Sequence, residues 1–114
     1  MADFAAFVDA GVTTFDTGPE ACGYGPSETV IGEYLRTAHG RAHARDIDVF
    51  TKLCCVGREQ AYMTKEWVEA NVERPRRRLG VEKISMVQMY WNDYGRRGYV
   101  DAALYLTDLK HQGK

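Results

Sequence analysis

The sequence predicts an α/β fold with a parallel sheet, and three observations carry that expectation. Short runs of β-branched and aromatic residues alternate with longer helical patterns in the order αβαβαβα. Glycines and helix-capping residues punctuate the joins. Asp16, Lys52 and Tyr90 each end a strand and stand 36 and 38 residues apart, which leaves room for one strand–helix unit in each interval. Strands connected in that rhythm run parallel, with right-handed helical crossovers.

Phe4, Phe7 and Val8 recur at helical spacing within residues 3–10, and Gly11 stops that helix. Residues 12–15, rich in β-branched side chains, read as the first strand. Past a glycine-rich loop, Ser27 and Glu28 suit a helix start. Val30, Ile31, Tyr34, Leu35 and Ala38 trace its apolar face, and Gly40 is expected to end it. Residues 48–53 form the second strand, with Cys54 and Cys55 in the loop behind it. Thr64 is a candidate N-cap for a third helix marked by Val68, Val72 and Leu79. Pro75 lies inside that helix, where proline costs about 3 kcal/mol or interrupts the hydrogen bonding. Residues 84–90 make the third strand, and residues 100–110 a fourth helix with Ala103, Leu106 and Leu109 on one side.

Length and composition narrow the function. At 114 residues the chain has the size of one small domain, and 45% hydrophobic with 27% charged residues argues against a disordered chain. No apolar run approaches the roughly 18 residues that span a bilayer, and no secretory leader is visible at the N-terminus. A net charge of −1 excludes a strongly basic nucleic-acid binder, so no nucleic-acid partner is expected. The charge is uneven. Residues 1–57 hold four Lys/Arg against eight Asp/Glu, residues 58–114 eleven against eight, and Arg74 and Arg76 to Arg78 form one basic cluster. Three cysteines, Cys22, Cys54 and Cys55, are too few and too odd for a disulfide scaffold, which fits a reducing compartment such as the cytoplasm or an organelle interior. His39, His43 and Cys22 show no recognised ligand spacing, and no metal is expected.

In parallel α/β proteins, catalytic groups gather at the carboxyl ends of the strands. An acid, an amine and a phenol, Asp16, Lys52 and Tyr90, could therefore converge in one mouth, although each could also be an ordinary polar strand end. Trp91, Asn92 and Asp93 follow Tyr90 and either line that mouth or pack within a loop.

The ordered set Gly11-Val12-Thr13-Thr14-Phe15-Asp16-Thr17, Tyr24-Gly25-Pro26-Ser27-Glu28 with Ile31-Gly32, Phe50-Thr51-Lys52, Arg78-Leu79-Gly80-Val81, Val87-Gln88-Met89-Tyr90-Trp91 with Asp93-Tyr94, and Leu106-Thr107-Asp108-Leu109-Lys110 to Gly113-Lys114 resembles the aldo-keto reductases. These are NADPH-dependent oxidoreductases built on a (β/α)8 barrel, and the resemblance runs over nearly the whole chain. It implies that Asp16 is the family's catalytic carboxylate and Lys52 its lysine, both also facing the cofactor. The catalytic tyrosine would be Tyr24, reached through three extra residues after Asp16; the usual position holds Ala21. The family's histidine falls on Tyr90, which can donate a hydrogen bond but cannot carry positive charge. In such a site tyrosine protonates the carbonyl oxygen as hydride arrives. A neighbouring ammonium favours its phenolate, and a carboxylate keeps the ammonium charged.

A whole barrel takes about 250 residues. By resemblance, residues 1–114 form an incomplete barrel domain running from the first barrel helix to just before the fifth strand. Most family contacts to NADP(H) come from later strands. Phe15, Phe50, Val87 and Met89 are expected on the inner face, without opposing strands, beside two free sheet edges. The resemblance thus implies a chain inactive alone that joins the missing half or other protein chains, with a small carbonyl substrate if active. The alternative is a non-catalytic pseudoenzyme serving as a structural subunit.

Overall fold

Helix and strand alternate through the chain because apolar spacing switches repeatedly between the two periods. The computed structural model describes residues 1–114. Helix α1 (Ala2–Asp9) leads into β1 (Thr14–Asp16), then α2 (Ser27–Leu35), α3 (Ala38–Ala42), β2 (Asp48–Cys55), α4 (Lys65–Leu79), β3 (Met86–Trp91) and α5 (Tyr99–His111). Single 3-10 turns occur at Glu20–Cys22 and Gly57–Gln60. The strands form one parallel sheet in the order β1-β2-β3. This is the expected α/β architecture, three strands of a partial (β/α) barrel.

Five helices are present where four were expected. The second helical pattern breaks after Leu35, because the Thr37 side chain accepts from the Gly40 amide at 3.0 Å and starts a new short helix. Gly40 therefore lies inside α3 and does not end α2. Strand β2 runs on through Cys54 and Cys55, which pair with Tyr90 and Trp91 on β3; those cysteines are strand residues, not loop residues. Helix α4 begins where Thr64 caps the Trp67 amide at 3.2 Å and runs unbroken past the buried Pro75 to a left-handed Gly80.

The helices cover one face of the sheet. Near α1 and α2, Val8, Ile31, Tyr34, Ile47, Val49 and Leu79 make one apolar cluster, against which Phe15 packs. Near α4 and α5, Leu53, Val68, Val72, Trp91, Ala102 and Leu109 belong to a second, with Val87 and Met89 against it. Phe15, Val87 and Met89 thus lie on the helix-covered face, contrary to expectation. Register fixes this: Thr51 pairs with Val87 and Leu53 with Met89, whereas Phe50 pairs with Met86 and Lys52 with Gln88 on the open face. Helix α2 approaches α4 so closely that a Cβ on Gly32 would stand 1.9 Å from the Arg78 carbonyl oxygen, so only glycine fits there.

Both outer strands leave a free edge beside a groove. Phe4, Phe15, Val30 and Ile31 help line about 380 Å³ next to β1. Ile84, Met86, Leu106 and Leu109 help line about 430 Å³ next to β3. No helix is long and apolar enough to cross a membrane.

Cys22 and Cys54 form a disulfide, with Cα atoms 5.9 Å apart. That single bridge is not anticipated by the reading of three cysteines as too few and too odd for a disulfide scaffold, and it removes the ground for expecting a reducing compartment. Cys55 is the one free cysteine and is fully buried. Burial, helped by Glu59, pushes its thiol up to about 12. A raised thiol stabilises the fold below its ordinary value near 9.0, and that contribution fades as pH climbs from there toward 12. A maleimide should accordingly find no thiol in the native, unreduced chain at mildly alkaline pH and one after denaturation. A native chain that labels readily would refute the burial.

Candidate active site

The open face of the sheet collects polar side chains at the carboxyl end of its strands. Asp16 ends β1, and Lys52 lies two-thirds along β2. Lys52 Nζ donates to Asp16 Oδ1 at 3.1 Å, to Oδ2 at 3.3 Å and to the Thr17 carbonyl at 2.8 Å. Its side chain is 15% exposed, and that of Asp16 56%. Burial pulls the Lys52 ammonium down, but the neighbouring Tyr24 hydroxyl and Asp16 carboxylate more than offset this and hold it above the ordinary lysine value. Any stability this pairing adds is therefore complete below about 10.5 and is lost as pH rises past that value.

Tyr24 joins this pair. Lys52 Nζ lies 4.4 Å from the centre of the Tyr24 ring, a cation–π contact. Two features bring the ring there despite the longer loop. Its carbonyl accepts from the Ser27 hydroxyl at 2.6 Å, which fixes the turn into α2. Gly18 leaves space for the ring, since a Cβ there would meet Tyr24 Cδ2 at 2.7 Å. The Cys22–Cys54 bridge then ties the same loop to β2, two residues from Tyr24 on one side and two from Lys52 on the other.

Gln88 completes the cluster, its side-chain amide donating to Asp16 Oδ1 at 2.8 Å. Sequence reasoning gave it no role, although a polar residue in the middle of an apolar strand was the available signal. Tyr90 shares the open face and pairs in register with Cys54, one step beyond the Lys52–Gln88 pair. It is 46% exposed, with its side chain outside the Asp16–Lys52 hydrogen bonds.

Trp91 and Asn92, expected beside a substrate mouth, differ in placement, with Trp91 buried and Asn92 exposed. Trp91 is buried on the helix face, its indole N–H donating to the carbonyls of Asp93 and Arg96 and its ring set edge-on to Tyr99. Asn92 accepts from the Gln60 side-chain amide. Alternation along β3 explains Trp91, because the neighbour of an open-face residue points to the opposite side; Asn92 lies just past the end of the strand. Arg78, from the basic cluster, is an anchor: it pairs at 3.1 Å with the buried Glu28, whose other oxygen accepts from the Thr51 hydroxyl at 2.5 Å.

A second cluster, Asp9, His39 and His43, lies at the other end of the strands, with one ligand atom of each within 4.8 Å of the others. Sequence reasoning missed it because Asp9 comes from a separate helix; the four-residue spacing of the histidines was its only signal.

Fold and site together define a parallel α/β chain that carries an acid at the end of β1, an amine within β2 and a phenol in the loop before α2. A model of the Aldo/keto reductase family matches residues 1–114, and the chain belongs to that family. No curated protein matches the chain.

Proposed function

We propose that Asp16, Tyr24 and Lys52 are the proton-handling part of a carbonyl-reducing site, one that works only when the rest of a barrel is supplied. The carrying observation is Lys52, held between the Asp16 carboxylate, the Thr17 carbonyl and the Tyr24 ring. NADP(H), when bound, would supply the hydride. The fit to it is partial. Asp16 and Lys52 suit the reactive end, but the first turn of α2 already holds the buried Glu28 carboxylate, which repels a phosphate there. The phosphates would be held by residues outside this chain.

As the carbonyl oxygen gains negative charge, Tyr24 gives it the hydroxyl proton and becomes phenolate. Lys52 stabilises that phenolate by its charge, Asp16 keeps Lys52 protonated and aimed, and Gln88 fixes Asp16. Tyr90, on β3 beside β2, would orient the carbonyl through its hydroxyl. Lacking the charge of a protonated histidine, it makes this chemistry slower or altered.

The two free edges and their grooves support a reading in which further strands, from the missing half or another chain, cover β1 and β3. A second reading, a non-catalytic subunit, is favoured by Tyr90 in place of histidine, by the burial of Trp91 and by the hydrogen bond that occupies Asn92.

The deciding experiment follows NADPH consumption with a panel of aldehydes and ketones, for the chain alone and for the natural polypeptide or complex that contains it. No turnover is expected from the chain alone. The complete assembly should turn over and lose roughly 10²–10⁴-fold in Lys52→Met, the share that positioned proton transfer supplies. Undiminished activity in Lys52→Met would sink the catalytic assignment. An intact assembly without activity would favour the non-catalytic subunit.

A further inference from the structure

We propose that Asp9, His39 and His43 bind a divalent transition-metal ion of the zinc class, joining α1 to α3 at the amino ends of the strands. This site is separate from the Asp16–Lys52 cluster and independent of the carbonyl-reduction reading. Asp9 closes α1, His39 sits in α3, and His43 caps the end of α3. The two imidazoles, four residues apart, stack with ring centres separated by 4.3 Å. Asp9 Oδ1 lies 2.9 Å from His39 Nε2.

The surrounding hydrogen bonds orient both rings as metal ligands are usually oriented. His43 Nδ1 lies 2.9 Å from the His39 carbonyl oxygen, which can only accept. The proton is therefore on Nδ1, and Nε2 is left with a free lone pair. His39 Nδ1 lies 2.9 Å from the hydroxyl of the buried Tyr34, while Nε2–H points to Asp9. When an ion binds, that proton shifts from Nε2 to Nδ1 and the ion takes its place, so the ring stays neutral. The Tyr34 hydroxyl, able to donate or accept, then accepts from Nδ1–H.

Two imidazoles with one carboxylate match zinc, cobalt or nickel better than calcium or magnesium, which prefer all-oxygen shells. Ligands at about 2.0–2.1 Å from a tetrahedral ion stand about 3.3 Å apart. The three groups reach that spacing by side-chain rotation, because Asp9 is exposed and both histidines are half-buried. Water fills the remaining positions, and the ion ties together residues 30 apart in the chain.

The test adds zinc chloride or cobalt chloride alone to the full 114-residue chain with its disulfide intact. Cobalt should give visible ligand-field absorption saturating at one ion per chain, and zinc should raise the melting temperature. His43→Ala and Asp9→Asn should each weaken binding at least tenfold with unchanged circular dichroism. Tyr34→Phe, which keeps every ligand, should weaken it about tenfold through the lost orienting hydrogen bond. Equal affinity in His43→Ala and the parent would overturn the site. So would a thiolate-to-cobalt charge-transfer band, which would assign the ion to cysteine, or the absence of one-to-one binding.

Discussion

Arg78→Ala should cost the fold about 3–5 kcal/mol, because it strands a buried carboxylate without its cation. Glu28 is 1% exposed and receives Arg78 at 3.1 Å on one oxygen and the Thr51 hydroxyl on the other. These contacts pin the start of α2 to the middle of β2 and the end of α4. Removing the acid instead is milder. Arg78 is 33% exposed and can turn to water, which leaves mainly the buried Thr51 hydroxyl without an acceptor. Glu28→Ala should therefore cost about 1–3 kcal/mol, and the double replacement less than the sum. A domain with only about 5–15 kcal/mol in total would register all three in denaturant unfolding. If Arg78→Ala proved no worse than an exposed arginine such as Arg77→Ala, the anchor would be ornamental.

Reducing the Cys22–Cys54 bridge should be the other large effect, about 4 kcal/mol by the chain-entropy account of a link across 32 residues. Unfolding in denaturant, with and without a phosphine reductant, reads it directly. Cys22→Ser should show the same loss and no further response to reductant. The bridge also has a local consequence, since it holds the Tyr24 loop against β2 beside Lys52. In the reduced chain the Lys52 ammonium, followed by its nitrogen-bound NMR signals, should titrate closer to the ordinary lysine value as Tyr24 moves off. An unchanged titration would mean that Ser27 and Gly18 place the ring without covalent help.

Much of the architecture could be read from residue patterns. The alternation of elements, the start of α2 at Ser27, the Thr64 cap and the proximity of Asp16 to Lys52 all follow from short-range spacing and strand-end chemistry. Facing was less accessible. Strands of a parallel sheet are buried on both sides in a complete fold and read as near-continuous apolar runs. Phe15 and Phe50 therefore look alike in sequence although they point to opposite faces. Long-range pairings were also hidden. The Cys22–Cys54 bond, the Gln88–Asp16 contact and the Asp9–His39–His43 cluster each join elements far apart in the chain. The break at Thr37 was concealed because apolar spacing continues through it, while a single hydroxyl restarts the helix.

The sheet repeats in space the order of its strands along the chain: Thr14 of β1 pairs with Asp48 of β2, and Phe50 of β2 with Met86 of β3. Each strand thus finds its first partner already made as the polypeptide leaves the ribosome, and no strand must wait for one inserted later between two neighbours. Growth of the sheet is then directional. Closing each pairing costs only the entropy of one strand–helix unit. The outer edge of β3 is the last to form in that order.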